Sequence, residues 1–271
     1  MISFVLYFHS SRIENLEQTL RFLYKNEPEL HSAEIILICQ NQINYINSLF
    51  ENTKFFNLNL KTYNKAKMCN FGVSQCSYDI IAILDSDRIL PLNYFKKNLC
   101  IPKQKIASCY RLLKLSKFYT DEEIENNQFV FTEDFKSKEN ELLKKNLFAG
   151  NTVMWKKDYQ EIGGMDENYC GHGFCDNDIT ELAISKGLIP IWNEETELHL
   201  YHDAFYEYEG QQKTLKEITF ISVLNGLKYC KKWKKPYNSA FGKLVRETYQ
   251  QLDSQPEQLQ KQFKSLMRKI I

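Results

Sequence analysis

The chain has 271 residues, 43% hydrophobic and 25% charged, which suits a globular protein with a sizeable core and excludes a disordered or fibrous chain. No run approaches the roughly 18 apolar residues a membrane-spanning helix requires. The net charge of +1 hides an asymmetry, because residues 211–271 hold 13 Lys/Arg and 4 Asp/Glu while the remainder holds 22 basic and 30 acidic side chains.

The eight cysteines are scattered, with no pair of CxxC motifs to suggest a zinc site. The opening MISFVLYFHS lacks the basic start and long apolar core of a secretory signal. Together these set an expectation of a reducing, cytoplasmic setting.

In chain order, Ser3 to Phe8 reads as a strand, and Leu16, Leu20, Leu23 and Tyr24 recur at helical spacing over 13–26. Glu34 to Cys39 is a second strand. Gln42 to Glu51 is expected to be helical and Lys54 to Leu60 extended. This alternation argues for βαβ units and a largely parallel sheet. The next helix starts near Lys65 and carries Lys65 and Lys67 at its N-terminal end. Cations are unfavourable there unless an anion is nearby. Lys65 is therefore either a phosphate contact or a surface lysine.

Ile80 to Leu84 is an unbroken apolar run that stops at Asp85-Ser86-Asp87. Such a run reads as a strand buried on both faces. Ligands of open α/β sheets bind at the ends of such strands, and carboxylates there can hold a hard divalent ion beside phosphates. The plain alternative is that the two aspartates only start a turn. A short helix is expected over 92–100 and a strand over 105–113. Residues 117–146 read as a long excursion with some helix near its end.

Six of the ten glycines fall between Phe148 and Leu188. That block reads as a strand (AGNTVMW), a helix (KKDYQEIG), a turn, a Gly-rich loop (CGHGF), and a helix from about Asp176 to Gly187. Asp176, Ile179 and Ala183 share the inner face of that last helix. Asp176 is either a functional carboxylate or the helix N-cap. Strands over 188–192 and 196–201 follow, leading to His202-Asp203, and beyond about 205–212 only helices are expected.

With these pieces in place, residues 3–203 resemble the nucleotide-sugar-dependent glycosyltransferases of the GT-A fold, above all the β-1,4-galactosyltransferase and chondroitin-polymerase group. The resemblance rests on YNKAKMCNFG, AILDSDRILP, the block FAGNTVMWKKDYQEIGGMDENYCGHGFCDNDITELAISKG, and ELHLYHD. It implies an α/β, Rossmann-like domain over 1–205 with a mostly parallel sheet flanked by helices, and a basic helical extension over 206–271.

Carried over, the resemblance makes Asp87 and His202 ligands of manganese (magnesium being the alternative), with His199 competing for the histidine's place. Asp85 assists through the ribose or the metal's water shell. Tyr63 stacks on the base, Lys65 meets the diphosphate or base edge, and Arg12 and Gly150 join the nucleotide-sugar contacts. Asp176 is the general base, and His172 and Gly173 face the acceptor. The implied activity is metal-dependent, inverting transfer of a hexose or N-acetylhexosamine, galactose types favoured, from a UDP-sugar to a glycan or lipid-linked glycan in bacterial surface polysaccharide or lipooligosaccharide synthesis.

The chain departs from the family's G-W-G-G-E-D block at His172, Phe174 and Cys175, and Phe174 is expected to narrow the pocket. An inactive nucleotide- or glycan-binding module is the competing reading. A dehalogenase-type phosphatase fits less well, since Arg88-Ile89 follows the acidic pair, and no nucleic-acid motif is present. The basic tail either docks on an anionic membrane surface or packs its apolar face (Phe220, Val223, Leu224, Leu227) on the catalytic domain.

Overall fold

The computed structural model describes residues 1–44, 49–127, 147–171, 173–202, 207–208, 211–212, 215–236 and 239–268. The strands are β1 (Ile2–Phe8), β2 (Glu34–Cys39), β3 (Thr53–Asn57), β4 (Ile80–Asp85), β5 (Arg88–Ile89), β6 (Lys105–Lys114), β7 (Asn151–Trp155) and β8 (Ile189–His199), with a short pair β9 (Glu207–Tyr208) and β10 (Gln211–Gln212). The helices are α1 (Ile13–Asn26), α2 (Lys65–Gln75), α3 (Tyr94–Asn98), α4 (Asp121–Asn126), α5 (Lys156–Glu161), α6 (Cys175–Ser185), α7 (Leu215–Trp233), α8 (Ser239–Gln250) and α9 (Glu257–Met267).

The main sheet runs β3-β2-β1-β4-β7-β6-β8-β5. Strands β3, β2, β1 and β4 are mutually parallel, as the alternation with helices predicts. Antiparallel β7 then sits between β4 and β6, and β5 pairs antiparallel with β8. The apolar run over 80–84 therefore occupies the interior of the sheet, between β1 and β7.

Side-chain alternation divides the core into two layers. Phe4, Leu6, Ala82 and Leu84 face α1 and α3, packing with Leu16, Leu20, Tyr94 and Phe95. Val5, Tyr7, Ile81 and Ile83 face α2, α5 and α6, packing with Met68, Val73, Tyr159 and Ile179. The C-terminal helices enclose a separate cluster of Phe220, Val223, Leu224, Leu227, Val245, Leu252 and Phe263. The apolar face of the tail is thus covered by the tail's own α8 and α9, not by the catalytic domain as one of the two expectations had it. All eight cysteines are free thiols. Among the described residues no helix is long and apolar enough to cross a membrane.

Several local expectations change. Residues 42–44 and 49–51 are not helical, and residues 45–48 lie outside the described set. In the excursion after β6, the described helix is α4, near its start; the expected helix near its end falls on residues outside the described set. Helix α4 is fixed by a capping box, with the Thr120 and Glu123 side chains each meeting the other's backbone N–H. The strands expected over 188–192 and 196–201 are one strand, β8, because β6 pairs along its whole length with an irregularity between Cys109 and Arg111.

Candidate active site

The site lies where β1, β2 and β4 end, in a cleft of about 490 Å³. Its first component follows from strand pairing. Strand β5 sets Arg88 opposite His199 and Ile89 opposite Leu198, and the Leu200 N–H donates to the Asp87 carbonyl at 2.8 Å. That register brings the end of β8 against the Asp85-Ser86-Asp87 turn. Asp87 Oδ2 lies 3.2 Å from His202 Nε2 and 3.8 Å from His199 Nε2. One ligand atom from each of Asp87, His199 and His202 lies within 4.8 Å of the other two.

The tautomer of His199 follows from its neighbour. Its Nδ1 is 2.9 Å from the Leu200 carbonyl, which can only accept, so Nδ1 carries the proton and Nε2 keeps its lone pair. Burial and the adjacent Arg88 push this imidazole down to about 4, so it is neutral near pH 7. Burial pushes the Asp87 carboxyl up, but His199, Arg88, Arg12 and Lys65 outweigh it and keep it ionised. A carboxylate with two imidazoles is a donor set that manganese accepts readily. Sequence reasoning weighed His199 against His202; the fold brings both to Asp87.

The second component is centred on Lys65. Asn64 caps α2 by accepting from the Lys67 N–H at 2.9 Å, which places Lys65 in the first turn with its side chain buried. Its Nζ lies 2.7 Å from Asp176 Oδ1, 3.2 Å from Asp85 Oδ1 and 3.1 Å from the Phe148 carbonyl. The anions that excuse a cation at a helix N-terminus are therefore two protein carboxylates. Burial pulls the ammonium pKa down, and Asp176 leads the interactions that raise it above its ordinary value.

Arg88, 8% exposed, is the other buried Lys or Arg among the described residues. It lies 3.2 Å from Asp85 Oδ2, 3.3 Å from Asp87 Oδ1 and 3.8 Å from Glu197 Oε1. Burial pushes the Glu197 carboxyl up to about 7 against the pull of Arg88. Sequence reasoning did not single out Arg88 or Glu197. A base directly after an acidic pair was the available signal for Arg88, whereas Glu197 looks like any other glutamate of a polar strand.

Of the remaining candidates, Arg12, Tyr63 and Gly173 line the cleft together with Tyr7, Gln40 and Lys114. Gly150 stands one layer back: its carbonyl accepts the Asp85 N–H at 2.7 Å, and its neighbour Ala149 lines the cleft. With φ at +108° and Glu197 against its Cα, it has no room for a side chain. His172 lies outside the described residues. The Phe174 ring is not among the cleft-lining residues; it packs on Tyr229 and Phe241 instead.

A family model described as glycosyltransferase like family 2 matches residues 23–243. The chain belongs to that family. No curated protein sequence matches this glycosyltransferase significantly. Its fold is shared with solved GT-A structures at low identity. One is GalNAc-T7 with UDP, GalNAc and Mn2+ (14% identity, TM-score 0.57, covering 92% of this chain and 54% of that one). A second is the mannosyltransferase PcManGT from Pyrobaculum calidifontis in complex with GDP-Man and Mn2+ (10%, 0.57, 98% and 74%). A third is S. aureus TarS 1-349 in complex with UDP-GlcNAc (9%, 0.54, 98% and 79%). The chain thus spans about half of the GalNAc-T7 chain. The glycosyltransferase has the α/β architecture expected from its sequence, with helices on both faces of a curled central sheet.

Proposed function

We propose that this glycosyltransferase transfers a hexose or N-acetylhexosamine, galactose or N-acetylgalactosamine ahead of glucose types, from a UDP-sugar to a glycan acceptor with inversion at the anomeric carbon. The observation that carries the reading is the convergence of Asp87, His199 and His202 within 4.8 Å beside the Lys65–Asp176 pair.

Manganese bound at Asp87, His199 and His202 would stabilise the charge that develops on the departing diphosphate. Lys65 and Arg12 add fixed positive charge to the same side of the cleft. Tyr63 offers a face for the base, and burial keeps its hydroxyl neutral. Asp176, at the first turn of α6 and on the cleft wall, takes the proton of the attacking acceptor hydroxyl. A single base on the acceptor side, without a nucleophile, gives one displacement and inversion. Gly173, and His172 by resemblance, face the acceptor.

The acceptor is assigned to a bacterial surface polysaccharide or lipooligosaccharide, built from the cytoplasmic face of the membrane. Residues 1–205 form the catalytic domain and residues 206–271 the basic extension. With its apolar face covered, any attraction of that extension to an anionic surface would rest on its lysines alone.

The test is donor hydrolysis and binding across UDP-, GDP- and dTDP-sugars with and without manganese, comparing wild type, Asp87→Ala and Asp176→Asn. The expected result is manganese-dependent turnover of one UDP-sugar, with Asp87→Ala losing nucleotide binding and Asp176→Asn losing turnover alone. Binding without turnover, even with acceptor glycans added, would favour the inactive module; absence of nucleotide binding would end the reading.

A further inference from the structure

Helix α7 reaches back to the segment that carries the proposed base and holds it with four side chains. Lys232 Nζ bridges both ends, 3.1 Å from Asp166 Oδ2 and 2.8 Å from Asp178 Oδ2. Asn225 Nδ2 donates to the Cys170 carbonyl at 2.9 Å and the Gly173 carbonyl at 3.4 Å. Lys228 Nζ donates to the Asn168 carbonyl at 3.0 Å, and Trp233 Nε1 to Asp178 Oδ1 at 2.7 Å. Asp178 is fully buried, and its Oδ1 also accepts from the Tyr169 hydroxyl at 3.2 Å. In the same first turn of α6, Asp176 faces the cleft and Asp178 faces α7.

Phe174 is a second, independent sign of this coupling. It caps α6 with φ at +68°, a left-handed conformation that L side chains rarely adopt. The resemblance places glycine here. The phenylalanine is held by the C-terminal helices: its ring centroid is 5.6 Å from those of Tyr229 and Phe241. Gly226 on α7 leaves the space, since a Cβ there would stand 2.8 Å from the Phe174 ring.

We infer that α7 is a positioning element of the active site, with Lys232 and Asn225 as positioning residues that fix the 166–178 segment and so aim Asp176. The inference rests on the proposed function, in which Asp176 is the base. The proposed donor contacts Arg12, Tyr63 and Lys65 lie outside the 166–178 segment, which touches them through the Gly171 N–H donating to the Tyr63 carbonyl at 2.7 Å and through the Lys65–Asp176 pair, so loss of the α7 contacts should slow turnover more than it weakens donor binding.

The experiment compares full-length wild type with Lys232→Met, Lys232→Arg and Asn225→Ser. Three readouts apply: hydrogen exchange over 166–178, UDP binding with manganese, and hydrolysis of UDP-galactose and UDP-N-acetylgalactosamine. Lys232 is 38% exposed, and Asp178 keeps its Tyr169 and Trp233 donors in Lys232→Met, so that variant is expected to fold. Expected are faster exchange confined to that segment, a kcat lowered about 10-fold or more for Lys232→Met and Asn225→Ser, UDP affinity and donor KM within about 2-fold, and recovery by Lys232→Arg, given how steeply rate depends on small misplacements. An unchanged kcat in folded Lys232→Met overturns the inference alone, as does a loss of donor affinity that matches the loss of rate. Wild-type turnover of no donor overturns the proposed function, and this inference with it.

Discussion

Lys65 Nζ stands 2.7 Å from Asp176 Oδ1, joining the start of α2 to the start of α6 across the floor of the cleft. The same ammonium reaches Asp85 at 3.2 Å, so one lysine ties the proposed donor side to the proposed acceptor side. Replacing it with methionine should do two things. Removing one partner from a buried ionic cluster should lower stability by about 2–3 kcal/mol, less than for an isolated pair because Asp85 keeps Arg88. Loss of charge beside the diphosphate should lower kcat about 100-fold. Urea unfolding and donor hydrolysis check these separately, and a variant with full stability and full turnover would show the pair to be incidental.

His199 and His202 both approach Asp87 through Nε2. Each single alanine variant should weaken manganese binding by about 100-fold, measured by titration calorimetry or by the EPR signal of free manganese, while the unfolding midpoint shifts little. The order of magnitude follows from losing one of three proposed protein ligands, at the upper end of the 10–100-fold typical of a supporting residue. If one histidine proves dispensable, the centre uses a single imidazole.

Gly150→Ala should disturb the site from behind. The added methyl would collide with Glu197 Oε1, and the backbone φ of +108° is strained for any L side chain. The expected cost is about 2–3 kcal/mol. Glu197 and Arg88 would shift together, so manganese binding should weaken as well. A variant that matches wild type in both measurements would mean that Glu197 moves aside freely.

Acid stability should depend on Glu34, far from the cleft. Burial pushes its carboxyl up, but hydrogen bonds from Lys54, the Ser3 hydroxyl and the Ser77 backbone and hydroxyl outweigh it and hold the group at about 2, against an ordinary 4.5. The folded value lies below the unfolded one. The stabilisation is therefore complete above about 4.5 and is lost as pH falls through that value toward 2. It should amount to about 2 kcal/mol once screening at half-exposed Lys54 is allowed for. Thermal melts from pH 6 to pH 2 should show a flatter decline for Glu34→Gln than for wild type.

The sequence by itself determined the strand–helix alternation, the buried run over 80–84, the helix over 13–26 and the cap of α2, because each is written in the local order of apolar, polar and capping residues. It also pointed to Asp87, His202, Lys65 and Asp176, which the fold gathers into one cleft. The capping box of α4 was written in Thr120 and Glu123, but the sequence reading placed helix near the end of that excursion and passed over it.

Tertiary structure alone decided the rest. The antiparallel entry of β7 and the long pairing of β6 with β8 depend on contacts between distant segments. The β5–β8 register brings His199 to Asp87 as well as His202, a choice that spacing along the chain leaves open. Arg88, Glu197 and Asp178 carry meaning only through the charges they meet, and the tail's apolar face only through the helices that cover it. Local pattern specifies which face of an element is buried; which element covers it is set by pairing across the whole chain.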